Sequence, residues 1–214
     1  MSGPCYTREA AIAGRVAGVD EAGRGPWAGP VVAAAVVLDP VCIPDGLNDS
    51  KQLTAERRAA LLAMLLECAE IGVGIASVEE IDTINIHWAT MLAMERAVAA
   101  LPHDCCHVLV DGNRQPRWGR STQTIVSGDA LCVSIAAASI VAKVTRDRLM
   151  IALAATQRGY GWHTNMGYGT PEHGRALTLL GTTAHHRRSF APVAQALLRE
   201  RESFAQHATG GSPA

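Results

Sequence analysis

An apolar run that begins at Val16 ends on two adjacent carboxylates, Asp20 and Glu21, and a glycine-rich turn, Gly23-Arg24-Gly25, follows at once. Acids at the end of a buried strand suit a cation, because unpaired charge there is costly. Glycines beside them let main-chain N–H groups approach a phosphate or a sugar closely. Arg24 adds a permanent positive charge with forked donors. The stretch reads as a strand-end cation site next to a backbone-lined pocket for a phosphorylated ligand. It also fits an ordinary strand-to-loop junction, so the decision rests on whether other acids join it.

Two more strand-like segments end the same way. His107 to Val110 leads into Asp111-Gly112-Asn113, and Thr122 to Val126 leads into Ser127-Gly128-Asp129. Taken singly, each acid also fits a cap or a turn. Taken together, four carboxylates at neighbouring strand ends would repel one another, and divalent cations remove that repulsion. Hard oxygen donors without a His/Cys cluster favour Mg²⁺ or Mn²⁺ over zinc. Two such ions about 3.5–4 Å apart suit in-line attack of water on a phosphodiester. One constraint applies: adjacent strand residues face opposite sides. Asp20 and Glu21 can share a site only where the strand ends or twists at Glu21, which Ala22-Gly23 permits.

The elements that must position these acids alternate between strands and helices. Residues 15–21 read as a first strand and Pro30 to Leu38, a Val/Ala run closed by Asp39-Pro40, as a second. The short turn between them predicts antiparallel neighbours. A helix over 54–69 carries Leu61, Leu62, Leu65 and Leu66 at helical spacing. Ile71 to Ser77 is a third strand, of open direction. Ser77-Val-Glu-Glu80 is a capping box opening a short helix, followed by a longer one from about Asn85 to Ala100. Residues 131–157, free of Gly and Pro, read as one long helix. Thr170-Pro171-Glu172 starts another, and the last spans 191–201. The 214 residues predict one α/β domain over 15–200, with a flexible segment 1–14 and a disordered tail 201–214.

The chain resembles ribonuclease HII, in blocks spread over residues 15–195. Asp20-Glu-Ala-Gly-Arg-Gly-Pro-Trp-Ala-Gly-Pro30 is similar to the family signature. Asp49-Ser-Lys-Gln-Leu, the run from Asn85 to Met94, Leu109-Val-Asp-Gly-Asn113 and Gly128-Asp-Ala130 follow in family order. So do Ala137 to Asp147, Gly167 to His173 and His186-Arg-Arg-Ser-Phe190. The resemblance implies a ribonuclease H-like fold, a mixed five-stranded sheet flanked by helices with a helical C-terminal part. It implies cleavage of RNA in RNA–DNA hybrids and nicking of duplex DNA 5′ to an embedded ribonucleotide, leaving 3′-hydroxyl and 5′-phosphate ends. Asp20, Glu21, Asp111 and Asp129 would be the catalytic, metal-binding acids. Gly23, Arg24 and Gly25 would read the ribose 2′-hydroxyl, the feature that separates RNA from DNA. Ser50 and Lys51 would touch backbone phosphate, and Tyr168 would stack on the sugar of the adjoining deoxynucleotide. The large N-terminal extension and Gly-Lys-Gly turn of ribonuclease HIII are absent. Met166 and Ser127 replace lysine, or at 127 lysine or glycine, expected from relatives, which removes positive charge near the substrate.

Other features weigh less. Net charge is −1, so nucleic-acid binding must rest on local patches. Arg114, Arg117 and Arg120 around Trp118, and Arg187-Arg188 with His185-His186, are candidates, although a solvated loop fits the first nearly as well. Lys143 and Asp147 are spaced as a surface pair, while His87, His163 and His173 carry no assigned role. The six cysteines show no zinc or redox spacing and read as reduced core residues. Gln195 to Phe204 is a poor match to a clamp-binding tail. No apolar run is long enough to span a membrane, and a cytoplasmic monomer is expected. A protein that binds hybrid without cutting, and a DNA nuclease on the same fold, remain alternatives at this stage.

Overall fold

All eight residues of Val31–Leu38 are buried, and their side chains divide between two faces. Val31, Ala33, Ala35 and Val37 pack with Ile81, Met94 and Val98, while Ala34, Val36 and Leu38 pack with Leu61, Leu65, Ala137 and Ile140. A strand covered on both sides reads as an unbroken apolar run rather than an alternation. This strand, β2, is the second in a computed structural model that describes residues 3–209, with side chains to residue 202. The sheet order is β3-β2-β1-β4-β5, from β1 (Val16–Ala22), β2, β3 (Ala69–Ala76), β4 (His107–Asp111) and β5 (Thr122–Ile125). β1, β2 and β3 are antiparallel neighbours; β1–β4 and β4–β5 are parallel. The expected mixed five-stranded sheet is therefore present, and β3 proves antiparallel to β2.

Helices α2 (Ala55–Cys68) and α4 (Val133–Thr156) cover one face, and α3 (Val78–Ala99) the other. Within α3 the two helices expected over 77–100 meet end to end, divided at Asn85 by a non-helical backbone (φ 66°, ψ 165°). There the Asn85 carboxamide accepts from the N–H groups of His87 and Trp88, so it caps the second half. Gly18 on β1 explains the close seating of α4. A Cβ there would stand 2.2 Å from the Ser134 backbone carbon.

Near the N-terminus a one-turn helix α1 (Thr7–Ala10) places Glu9, 2 % exposed, against the start of α4. One Glu9 carboxylate oxygen accepts from Ser134 N–H and Oγ–H, at 2.9 and 2.6 Å. It thus caps a helix whose own Cys132 offers no side-chain cap. At the other end α7 (Ala191–Thr209) continues past 201, and the rest of the expected tail, 210–214, lies outside the described residues. The cysteines also divide: Cys105 and Cys132 are buried, Cys68 is half-buried, and Cys5, Cys42 and Cys106 are exposed. No described helix is long and apolar enough to cross a membrane.

Within the C-terminal part, α5 (Trp162–Asn165), α6 (Pro171–Leu180) and α7, a buried imidazole pair ties α5 and α6 to the segment before α7. Thr183 N–H donates to His186 Nδ1 at 3.0 Å, so the His186 proton sits on Nε2. That proton goes to His173 Nε2, 3.0 Å away, which also accepts from the Trp162 indole. His173 must then carry its own proton on Nδ1, aimed at the Tyr168 carbonyl at 3.0 Å. A doubly protonated ring at either position would lose an acceptor the chain requires. Burial, then the neighbouring His173, holds His186 down to about 3, and burial also lowers His173. Free imidazole titrates near 6.5. The unfolded chain therefore takes up this proton first as pH falls. Stability from neutral His186 is complete above pH ~6.5 and drains below it at about 1.4 kcal/mol per pH unit, down to the folded value. Urea melts at pH 7.5, 6.5 and 5.5 should show that loss, and His186→Asn should flatten it; equal slopes for the two proteins would contradict the assignment.

Candidate active site

The parallel register that pairs Val19 with Val110 sets Asp20 beside Asp111 at the next position. Side-chain alternation puts Gly18, Asp20, Leu109 and Asp111 on the same face, the one covered by α4. Asp20 is 6 % exposed, and its Oδ1 accepts from Glu21 N–H at 2.7 Å. β1 runs one residue past Glu21 and stops at Ala22, and both acids line one cleft of about 340 Å³. Asp111 Oδ1 accepts from Gly128 N–H at 2.7 Å. That bond anchors a 3-10 turn, Gly128–Ala130, which carries the buried Asp129. Ser127, just before it, adopts a left-handed conformation (φ 55°), which a glycine would adopt with less strain.

The electrostatics bear the mark of crowding. Burial pushes the Asp20 carboxyl well above the usual range, and the charges of Glu21 and Asp111 push it further. Burial raises Glu21 too, opposed by Arg24, whose guanidinium stands 3.3 Å away. Asp129 is raised by burial and then by Asp111 and Asp49. Asp49 is thus a fifth acid, brought in by the loop before α2 and not among the expected site residues. Its place in Asn48-Asp49-Ser50-Lys51 was the available signal. Among the described residues no three His, Cys, Asp or Glu side chains close into a ready-made cation cage. Glu21 is engaged by Arg24 and Asp111 by the Gly128 N–H. Open carboxylates of this kind, with no thiolate or imidazole among them, suit a hard cation that keeps water or substrate oxygens as its other ligands.

Across the cleft from the acids lie Gly23, Arg24, Gly25, Ser50, Lys51 and Tyr168, with Ser139, Lys143 and Arg146 of α4. Asp49 caps the short turn Ser50–Gln52, accepting from Lys51 N–H at 3.0 Å. Ser50 is buried and accepts from Ser139 Oγ–H at 2.7 Å, while the Lys51 side chain is exposed. Burial lowers Lys51, but Asp49, Asp20, Asp129 and Asp111 outweigh it and raise the ammonium overall. Tyr168 is 46 % exposed beside Gly25. Gly23 has φ +96°, and a Cβ there would stand 1.9 Å from Arg146 Nε. No other residue fits that position.

Several secondary candidates move. Lys143 pairs with Asp147 at 2.7 Å, but the pair is largely buried and Lys143 faces the cleft. His186 and Arg187 are fully buried rather than part of a basic surface patch. Arg117 stacks on Trp88, 4.4 Å from the ring centre, rather than on Trp118, and Arg120 pairs with Asp104. Met166 packs against Trp162 and Met150 instead of projecting a charge. A larger cavity, about 580 Å³, opens at the opposite end of β1 between Arg15, Asp39 and Glu70. Its one arginine is already paired with Glu70.

These features agree with what sequence and structure comparison find. The family model for ribonuclease HII matches residues 17–193. A ribonuclease HII of Rhizorhabdus wittichii is 62 % identical over 195 residues, covering 91 % of this chain and 96 % of that protein. One of Jannaschia sp. is 57 % identical, covering 91 % and 98 %. Among solved structures, ribonuclease H2 from Pyrococcus horikoshii superposes with a TM-score of 0.74 at 27 % identity, over 88 % of this chain and 99 % of that one. A ribonuclease HIII, 20 % identical, shares the fold with a TM-score of 0.64. A buried carboxylate cluster on a ribonuclease H-like sheet, matched across most of the sequence, leads to one conclusion: this chain belongs to the ribonuclease HII family, a hydrolase with ribonuclease H endonuclease activity on RNA–DNA hybrids.

Proposed function

We propose that the enzyme, besides cutting hybrid, nicks duplex DNA on the 5′ side of an embedded ribonucleotide, using Mg²⁺ or Mn²⁺ and leaving 3′-hydroxyl and 5′-phosphate ends. The observation that carries this reading is the juxtaposition within one cleft of Asp20 and Glu21 with the Gly23–Gly25 turn. Asp20 and Asp111 would hold the cations most directly, with Glu21 and Asp129 completing the set. Bound divalent ions would acidify water and offset charge on the scissile phosphate. The chain's own groups do the rest. The turn offers main-chain N–H groups to the 2′-hydroxyl, and Tyr168 offers an exposed ring to the neighbouring sugar. Lys51 and Ser50 face the phosphodiester path, and Arg24 opposes the rise that burial gives the Glu21 carboxyl.

Duplex DNA with a single ribonucleotide, compared with its all-DNA counterpart, tests the reading directly. Nicking of the first alone is expected; equal cutting would reject ribose recognition. Asp111→Asn should bring cleavage below detection on a gel while fluorescence anisotropy still registers hybrid binding. Full activity in that variant would remove Asp111 from the site. Asp20→Asn relieves like-charge crowding, so in EDTA at pH 7.5 it should be more stable than wild type by about 1 kcal/mol, though inactive. A lower melting temperature would contradict the repulsion.

A further inference from the structure

Beneath the Gly23–Pro30 turn lie two arginines, Arg146 from α4 and Arg187 from the segment before α7, 1 % and 0 % exposed. Among the described residues neither makes an ion pair. Their partners are carbonyl oxygens. Arg187 donates from Nε to Gly29 (2.9 Å), from Nη1 to Arg24 (3.0 Å), and from Nη2 to Gly23 (2.6 Å) and Pro30 (3.1 Å). Arg146 donates from Nε to Pro30 (3.0 Å), from Nη2 to Ala28 (3.1 Å) and from Nη1 to Met166 (3.0 Å). A buried cation without a paired carboxylate is costly; carbonyl dipoles offset it here, joined at Arg187 by the Phe190 ring, 5.1 Å from the guanidinium.

In a trans peptide the C=O of one residue and the N–H of the next point in opposite directions. Drawing the Gly23 carbonyl inward therefore turns the Arg24 N–H outward. Drawing the Arg24 carbonyl inward turns the Gly25 N–H outward. Neither N–H, nor that of Gly23, meets a protein acceptor among the described residues, and Arg24 and Gly25 are exposed. We propose that Arg146 and Arg187 are positioning residues that hold the turn's carbonyls inward and so present the Arg24 and Gly25 N–H groups to a ribose hydroxyl. The proposal rests on the ribose-reading role given to this turn above. Burial, and then Arg146, pulls Arg187 down to about 9, so it remains charged at neutral pH and its donors remain complete.

Lysine keeps the charge but cannot span these carbonyls with one ammonium. The test uses Arg187→Lys and Arg146→Lys in the full chain, each checked for cooperative melting and for the rise in melting temperature on adding Mn²⁺. Affinities for the single-ribonucleotide duplex and its all-DNA counterpart are measured by anisotropy in Ca²⁺, and kcat and KM in Mg²⁺. Expected are an intact Mn²⁺ response, loss of the ribose preference in binding, and a fall of about 100-fold in kcat/KM on the ribonucleotide duplex. Lysine variants that keep both the preference and kcat/KM overturn the positioning role while leaving ribose reading in place. A wild type without ribose preference overturns both. Failure of both variants to fold assigns the arginines to stability and likewise overturns the proposal.

Discussion

Like charge confined in a nearly dry space is the constraint on which this molecule is built. Asp20 and Asp111 are neighbours because β1 and β4 run parallel, with Val19 against Val110. That register is pinned by apolar side chains on both faces: Val19, Val108 and Val110 toward α3, Val16 and Leu109 toward α4. A one-residue slip would turn one acid into the α3 core. Moving a carboxylate out of water costs several kcal/mol, so the crowd of acids destabilises the fold around it. The alanine-rich packing of β2, α3 and α4 offsets this with dispersion and apolar burial. Gly18, where nothing larger than hydrogen fits, lets α4 lie close enough to bury Asp20.

Much of the scaffold was legible in the sequence because its signals are local. A Val/Ala run, a capping box and a Gly/Pro-free stretch of 27 residues report β2, the start of α3 and α4 with little interference. The acids were legible as a pattern, each near a glycine after an apolar run. The residues that escaped act on partners without a sequence signature. Arg146 and Arg187 bind main-chain carbonyls, which every residue possesses, so no complementary acid betrays them. Glu9 caps a helix start 125 positions away. His173 and His186 gain meaning only as a pair, their tautomers fixed by Thr183 and the Tyr168 carbonyl. Asp49 was hidden by its own local role as a cap.

A polyanion must also be drawn to a site made of acids, on a chain of net charge −1. Of the cations lining the cleft, Arg24 pairs with Glu21 and Lys143 with Asp147. Lys51 stands free of an ion pair among the described residues, but it faces four acids. The two guanidiniums behind the turn differ, since carbonyl dipoles solvate their charge without cancelling it. In a low-dielectric setting an uncancelled charge is felt over a longer range than one in water. The turn is therefore backed by positive charge while the strand ends beside it are negative. On the reading proposed above, this arrangement would favour substrate phosphate on one side of the cleft and a divalent cation on the other. On the same reading, that polarity, set by which partner each buried charge has, would let a carboxylate-lined cleft hold nucleic acid.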